Sequence, residues 1–129
     1  MIKVVLDTNV VVSALMSPAG NPARILDMIF NGIIQVYHSE SILFEYKDVL
    51  TRPSLKILPE KANRFFEIVC EIGTSVELII STVQLPHEND RAFYDTARRC
   101  AAILITGNIK HYPAEDFIMT PREFLDLIS

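Results

Sequence analysis

Three acidic side chains stand where apolar segments of the chain begin or end. Asp7 follows the apolar run of residues 2–6, Glu45 lies in a segment that follows a second such run, and Asp90 opens a third segment. Carboxylates that converge from separate strand ends can hold one or two hard divalent ions such as Mg²⁺. Such ions activate a water molecule and stabilise the leaving oxygen of a phosphodiester. We therefore expect phosphodiester chemistry if the fold brings these three side chains together.

Asp7 and Glu45 each also fit a purely structural role. Asp7 precedes Thr8 and Asn9 at the end of a strand pattern, where an aspartate commonly caps the next helix. A capping aspartate needs no second carboxylate aimed at the same place, so the positions of the other acidic residues distinguish a cap from a metal site. At about 100° per residue, the apolar face of the second segment centres near Tyr46, which predicts a half-buried Glu45 at its edge. A solvated helix glutamate is the alternative.

Asp90 has the more unusual position. The same arithmetic places Phe93, Tyr94 and Ala97 around its direction, on the stripe that the helix buries. A carboxylate there is costly unless it is paired or metal-bound. The first turn of a helix favours anions, however, which leaves a capping role open. Asp95 points to the opposite side of the helix, and we predict that it lies at the surface.

A polar loop follows a further apolar run. Thr106-Gly107-Asn108 combines two neutral oxygen donors with a glycine that allows a tight turn, and His111 lies at the tip of the loop. An ordinary loop with His111 exposed to water is the alternative. No second His or Cys stands at ligand spacing to His111, so the sequence does not indicate zinc.

The chain alternates between strand and helix patterns, which defines the scaffold for these residues. Helix starts are indicated by Asn21-Pro22, by Ser39 or Ser41, and by the capping box that begins at Thr120. The predicted strands are residues 2–6, 33–38, 76–80, 103–106 and 117–119, and the predicted helices are residues 8–16, 21–31, 39–50, 59–72, 89–100 and 120–128. This order predicts an α/β fold with a mainly parallel sheet covered on both faces. In such sheets, sites form at the carboxyl ends of the strands.

The composition limits the class of protein. The chain has 129 residues, of which 50% are hydrophobic, so we expect one domain over residues 1–129 and exclude an intrinsically disordered chain. The 12 basic and 16 acidic residues give a net charge of −4, which argues against a protein that coats nucleic acid by bulk charge. Arg91 and Arg98 lie on one side of their helix and could touch an RNA backbone or form a solvated face.

The cysteines and the apolar runs bear on the compartment. Cys70 and Cys100 have apolar neighbours, and we predict both as reduced core residues. No apolar run approaches the length of a membrane span, and no signal peptide is visible. We therefore expect a cytoplasmic protein without a membrane partner.

Four stretches, taken in order, resemble the motifs of the PIN domain ribonucleases. They are residues 1–9 (MIKVVLDTN), 39–50 around Glu45, 90–97 (DRAFYDTA) and 105–108 (ITGN). More narrowly, the chain resembles the toxin component of a type II toxin–antitoxin system. The resemblance covers the whole chain. It implies a three-layer α/β/α sandwich with a sheet of four to five strands, cleavage of RNA with Mg²⁺ or Mn²⁺, an antitoxin partner and a homodimer.

The resemblance also assigns residues to the site. By position, Asp7, Glu45 and Asp90 match the first three acidic residues of the family, which implies that they bind the metal and act in catalysis. Many members carry Asp at the fourth catalytic position, where Asn108 stands here. Asn108 can accept a hydrogen bond from a metal-bound water but brings no charge, which puts the second metal in question. The candidates for contact with the substrate are Thr106, His111 and Arg91.

Two other functions stay open on these residues. One is a PIN-like RNA-binding or interaction module without catalysis, which the neutral Asn108 and the acidic balance favour. The other is a phosphohydrolase with Asp7 as its nucleophile; such enzymes pair that residue with an Asp two positions later, where Asn9 stands here. The sequence has no Gly-x-Gly-x-x-Gly or Walker-type lysine loop, so nucleotide-cofactor binding lacks support.

Overall fold

One sheet of five strands forms the centre of the computed structural model, which describes all 129 residues. The strands are β1 (Lys3–Leu6), β2 (Gln35–His38), β3 (Thr74–Ser75), β4 (Ile103–Ile105) and β5 (Ile118–Met119). Their order across the sheet is β3-β2-β1-β4-β5, and every neighbouring pair is parallel. The predicted mainly parallel sheet is therefore confirmed, and all carboxyl ends lie at one edge with β1 in the middle.

Six helices connect the strands and complete a three-layer α/β/α arrangement, as predicted. They are α1 (Thr8–Met16), α2 (Asn21–Phe30), α3 (Glu40–Leu50), α4 (Pro59–Ile72), α5 (Arg91–Cys100) and α6 (Pro121–Ile128). Ser39 caps α3, since its side chain accepts from the Ile42 N–H, and Thr120 forms the predicted capping box with Glu123 at α6. Single-turn 3-10 helices span Pro53–Leu55, Glu88–Asp90 and Ile109–His111.

Aromatic packing ties the helices to the end of β1. Tyr46 of α3 is fully buried, with ring centroids 5.6 Å from Phe65 of α4 and 6.2 Å from Phe93 of α5. Its hydroxyl donates a hydrogen bond to the carbonyl oxygen of Leu6, the last residue of β1. Because Glu45 precedes Tyr46 and Asp7 follows Leu6, this contact fixes the two acidic residues relative to one another.

The third strand differs from its prediction. We expected residues 76–80, but the strand is limited to Thr74–Ser75, after which the Val76 N–H donates to the His38 carbonyl at 2.8 Å. The neighbouring β2 ends at His38, so no strand remains for the following residues to pair with. Ile79 and Ile80, whose branched side chains indicated a buried strand, are exposed instead.

The cysteine prediction is wrong in its placement. Both thiols are free, but Cys70 is exposed and Cys100 is only partly buried. Cys70 follows the fully buried Val69 on α4, and one residue along a helix turns the side chain by about 100°, away from the core. None of the helices has both the length and the apolar character needed to cross a membrane.

Candidate active site

Asp7 lies at the end of β1 with only 5% of its surface exposed. Its Oδ2 accepts hydrogen bonds from the Thr106 hydroxyl at 2.8 Å, from the Tyr112 hydroxyl at 2.8 Å and from Asn9 Nδ2 at 3.4 Å. Asp7 occupies the position before α1, yet its side chain makes no capping hydrogen bond. The structure therefore does not support the capping alternative, because the carboxylate is held by Thr106 and Tyr112, which follow β4 in the chain.

Glu45 extends from α3 toward the same strand end and is half-buried, as predicted. Its Oε2 accepts a hydrogen bond from the hydroxyl of Thr8, the residue next to Asp7. Burial raises the pKa of the Glu45 carboxyl, and the nearby charges of Asp7 and Asp90 raise it further, while the bond from Thr8 opposes the shift. Glu45 is thus electrostatically coupled to both of the other acidic residues.

Asp90 ends the 3-10 turn that leads into α5, and 17% of its side chain is exposed. Its Oδ2 is buried without a hydrogen-bond partner. The nearest basic side chain is His111, whose Nδ1 lies 3.5 Å from that same oxygen, and the His111 ring packs against His87 at 4.3 Å between centroids. Burial and the charge of Asp7 raise the pKa of the Asp90 carboxyl, against the opposite effect of the two histidines. Asp90 makes no side-chain cap.

The charges of the three carboxylates also act on the Tyr112 phenol. Its pKa is raised far above the usual value by burial and by the charges of Asp7, Asp90 and Glu45. Three like charges so close together repel one another and favour a cation between them. The sequence prediction that β1, α3 and α5 would bring these residues to one edge of the sheet is thus matched by the geometry.

The donor chemistry fits a hydrated divalent ion. Asp90 Oδ2 is a buried acceptor with no partner, and the hydrogen bonds to Asp7 and Glu45 fall on Oδ2 and Oε2, leaving one oxygen of each without a protein donor. No three Asp, Glu, His or Cys side chains are spaced so that they could hold a metal ion directly. A sphere of three direct carboxylate ligands is therefore absent, whereas Mg²⁺ usually keeps several waters and binds one or two carboxylates.

The loop after β4 has a different role from the predicted one. Thr106 is fully buried, and its hydroxyl donates to Asp7 while accepting from the Asn108 N–H at 3.0 Å. The prediction that Thr106 contacts the substrate is wrong, because a buried side chain positions Asp7 instead. Gly107 donates its N–H to Asn9 Oδ1 at 2.9 Å, and a Cβ at Gly107 would lie only 3.3 Å from that oxygen. Asn108 is exposed beside this contact.

Arg91 and Asp95 form an internal network. The Arg91 guanidinium donates to Glu88, to Asp95 and to the carbonyl oxygens of Ser81 and Val83. Asp95 is 2% exposed and accepts from both the N–H and the hydroxyl of Ser81. The prediction of a surface Asp95 is therefore wrong, and Arg91, which was predicted to contact the substrate, has its donors engaged within the protein. The Arg91 guanidinium and the Asp95 carboxylate instead hold the segment around Ser81 against α5.

Sequence reasoning missed three members of the site, one of which is Thr8, whose hydroxyl donates to Glu45. Tyr112 supplies a hydroxyl to Asp7, and Asn9 bridges Asp7 to Gly107. Asn9 could have been inferred from its place two residues after Asp7, at the same strand end. Tyr112 carries no local signal, because 105 residues separate it from Asp7 in sequence.

Comparison with known proteins places the chain. A sequence model of the PIN domain matches residues 3–110. The chain belongs to the PIN domain family. It is 40% identical over 141 residues to the uncharacterized protein MJ1680 of Methanocaldococcus jannaschii, which covers 97% of this chain and 90% of that protein. PIN domains are generally nucleases, and PIN domain nucleases generally use divalent metal ions.

A solved structure also shares the fold of this PIN domain. The crystal structure of VapBC2 from Rickettsia felis, bound to a DNA fragment from its promoter, contains a chain that superposes with a TM-score of 0.57. The match covers 84% of this chain and 90% of the other, at 17% sequence identity. At this identity the likeness concerns the fold alone.

Proposed function

We propose that this PIN domain is a Mg²⁺- or Mn²⁺-dependent endoribonuclease. The observation that carries the proposal is the buried Oδ2 of Asp90, which accepts no hydrogen bond, lies 3.5 Å from His111 Nδ1 and faces the charge of Asp7 in a site shared with Glu45. An unpaired buried carboxylate oxygen is costly, and a hydrated cation at this position would satisfy it. The family membership supports the same chemistry.

Each residue of the site has a distinct task in this proposal. Asp7, Glu45 and Asp90 would hold the metal, which when bound supplies an activated water and stabilises the leaving oxygen of the phosphodiester. Thr106, Tyr112 and Asn9 hold Asp7, and Thr8 orients Glu45.

The rim of the site would receive the RNA. Asn108 is exposed at the fourth position and offers a neutral contact to substrate or to a metal-bound water. His111 has 44% of its side chain exposed and lies beside Asp90. It can therefore donate a hydrogen bond to an incoming phosphate.

The biological role we propose is that of a cytoplasmic toxin silenced by an antitoxin protein, acting as a homodimer. The four motifs of the sequence support this role. The shared fold with a chain of the VapBC2 complex, crystallised on promoter DNA, agrees with a partner that binds DNA. We expect the neighbouring gene to encode a DNA-binding protein, and we expect that protein to co-purify with this chain.

Cleavage of a fluorescent single-stranded RNA in titrated Mn²⁺ tests the activity. We expect metal-dependent cleavage by the wild type, none in excess EDTA, and at least about a 100-fold loss in Asp90→Asn, in line with the removal of a metal-site charge. Asp126→Asn is the matched control, since that carboxylate is exposed on α6, and it should keep wild-type activity. Calorimetry should show Mn²⁺ binding that Asp90→Asn weakens.

A non-catalytic PIN module is the second candidate. The absence of three directly ligating side chains favours it. This function would replace the first if the purified wild type binds RNA but shows no cleavage at any Mn²⁺ or Mg²⁺ concentration.

A further inference from the structure

A groove of about 420 Å³ opens directly beside the carboxylates. Its walls include Thr8 and Asn9, which bond Glu45 and Asp7, together with Ser13, Arg52 and Ser54. The lining is mostly apolar, with Val12, Val49 and Leu55, but it also contains hydroxyl, amide and guanidinium groups and no carboxylate. Arg52 is close enough to Glu45 for its charge to act on that carboxyl. The groove is thus an anion-compatible continuation of the acidic site.

Two further grooves extend this one along the surface. The next, also of about 420 Å³, shares Ser54 and Leu55 with the first and adds Lys56 and Lys61. The third, of about 300 Å³, shares Lys61 and adds Arg64. We call the three together the basic trough. It begins at the carboxylates and runs along α1 and the segment from Arg52 to Arg64.

The charges in the basic trough oppose the balance of the whole chain. Four of the 12 basic residues line it, namely Arg52, Lys56, Lys61 and Arg64. The only carboxylate among its lining residues is Asp27, in the third groove. A chain of net charge −4 has therefore concentrated cations next to its acidic site, which is the pattern expected for a polyanion path.

The cations are available to a ligand. Arg52 pairs with Asp48 at 3.0 Å, but both side chains are more than half exposed, and such a pair contributes little and can be exchanged. Lys61 donates only to the Leu15 carbonyl, at 3.3 Å, which leaves further donors free. A ligand phosphate can replace these weak contacts without breaking a buried network.

We propose that the basic trough binds the backbone of single-stranded RNA on one side of the bond to be cleaved, with Arg52 nearest the reacting phosphate. This inference rests on the proposed function and names residues that position its substrate. RNA is favoured over an acidic protein segment because the trough opens into the carboxylate site through hydroxyl and amide groups. Separated positive charges of this kind can contact successive phosphates of an RNA backbone without reading its base sequence.

Salt-dependent binding measures the number of phosphates that the trough neutralises. A fluorescein-labelled single-stranded RNA is titrated in EDTA, where cleavage is blocked, and its anisotropy is followed from 50 to 200 mM KCl. On single strands, each phosphate contact contributes about 0.7 to the slope of log K against log salt. We expect the slope to fall by about 0.7 in Arg52→Gln and by about 1.4 in Lys56→Gln/Lys61→Gln.

The matched control is Arg122→Gln. Arg122 is exposed and, like Arg52, pairs with an aspartate four residues away along its helix, but it lines none of the three grooves. Its slope and affinity should equal those of the wild type. Mn²⁺ affinity by calorimetry should be unchanged in the Lys56→Gln/Lys61→Gln protein. In Mn²⁺, the loss of cleavage in that protein should appear in KM, with kcat retained.

The outcomes separate the trough from the proposed function. Unchanged slopes in the trough variants, or no RNA binding by the wild type, would overturn the trough assignment. Variants that keep RNA affinity but no longer retain a co-expressed antitoxin would identify the trough as a protein-docking surface and overturn it as well. Trough variants with the expected slopes, in a wild type that never cleaves RNA, would uphold the trough and reject the nuclease.

Discussion

At the scale of single residues, the site depends on how Asp7 is held. One carboxylate oxygen, Oδ2, accepts from Thr106, Tyr112 and Asn9, while the other is left for a ligand. Hydrogen bonds to a buried charge lower its energy and fix its direction. The neighbouring donors therefore fix the orientation of the Asp7 carboxylate in the metal-free protein.

Removal of one of these hydrogen-bond donors should weaken metal binding. Tyr112→Phe deletes the hydroxyl that donates to Asp7 at 2.8 Å and leaves the ring in place. A hydrogen bond to a charged group contributes about 1.5–3 kcal/mol, so we expect Mn²⁺ affinity to fall about 10- to 100-fold. Calorimetry measures this directly, and kcat/KM on RNA should fall with it.

A second tyrosine serves as the control for that change. Tyr37 lies on β2 and packs against the Lys3 ammonium, and its hydroxyl makes no hydrogen bond within the protein. Tyr37→Phe should leave Mn²⁺ affinity unchanged. Equal affinities for Tyr112→Phe and the wild type would show that the tyrosine does not support the ligand.

At the scale of elements, α5 and the turn before it carry two aspartates with opposite energetic roles. Asp90 has a raised pKa and a buried oxygen without a partner, so its charge is unfavourable in the metal-free protein. Asp95 is more deeply buried, but Ser81 and Arg91 satisfy both of its oxygens. An ionised aspartate is thus destabilising at Asp90 and stabilising at Asp95, five residues later.

The same substitution at the two positions should change stability in opposite directions. In EDTA, Asp90→Asn should raise Tm by a few degrees because it removes a repelled charge, whereas Asp95→Asn should lower the free energy of unfolding by about 2–4 kcal/mol because the buried amide loses the ion pair with Arg91 and cannot accept both hydrogen bonds from Ser81. Thermal melts followed by circular dichroism measure both. Added Mn²⁺ should raise the Tm of the wild type and of Asp95→Asn but not that of Asp90→Asn. A lower Tm for Asp90→Asn in EDTA would mean that its charge is compensated within the fold.

The aspartates of α5 also show what local patterns can and cannot predict. Helical phase placed Asp90 and Asp95 on different sides of the helix, but its prediction of a surface Asp95 was wrong, since Asp95 is the more buried of the two. The phase did not predict that the segment around Ser81 covers the opposite face, since that cover comes from a stretch without periodicity. The shortened β3 has the same cause: pairing depends on where its neighbour ends.

At the scale of the whole molecule, the order of strands and helices was predictable and the long-range partners were not. Alternating patterns and cap signals predicted five strands and six helices, all but β3 close to their observed bounds, and with them the edge where Asp7, Glu45 and Asp90 meet. Tyr112 entered the site through a contact between segments 105 residues apart, which no short pattern encodes. The basic trough likewise assembles from α1 and the residues between α3 and α4, so it emerged only from the fold.

Global stability should depend on pH through His38, which lies under the junction of β2 and α4. The imidazole is 2% exposed, its Nε2 lies 3.3 Å from the Val69 carbonyl, and its Nδ1 has no partner. Burial lowers the His38 pKa from its usual value of 6.5, an effect that the Val69 contact only partly offsets. The folded protein therefore binds fewer protons at this site than the unfolded chain. Stability from this group is complete above pH 6.5 and is lost as the pH falls toward the lower folded pKa.

Urea unfolding of the wild type and of His38→Gln between pH 7.5 and 5.5, both in EDTA, isolates this effect. Glu45 and Asp90, whose raised pKa values act with the opposite sign, and the other two histidines are common to both proteins and cancel in the comparison. We expect the wild-type free energy of unfolding to fall more steeply with acidification, by at most about 1.4 kcal/mol per pH unit for one proton. Parallel pH profiles for the two proteins would show that His38 protonates without cost, and the junction would then have to open enough to hydrate the ring.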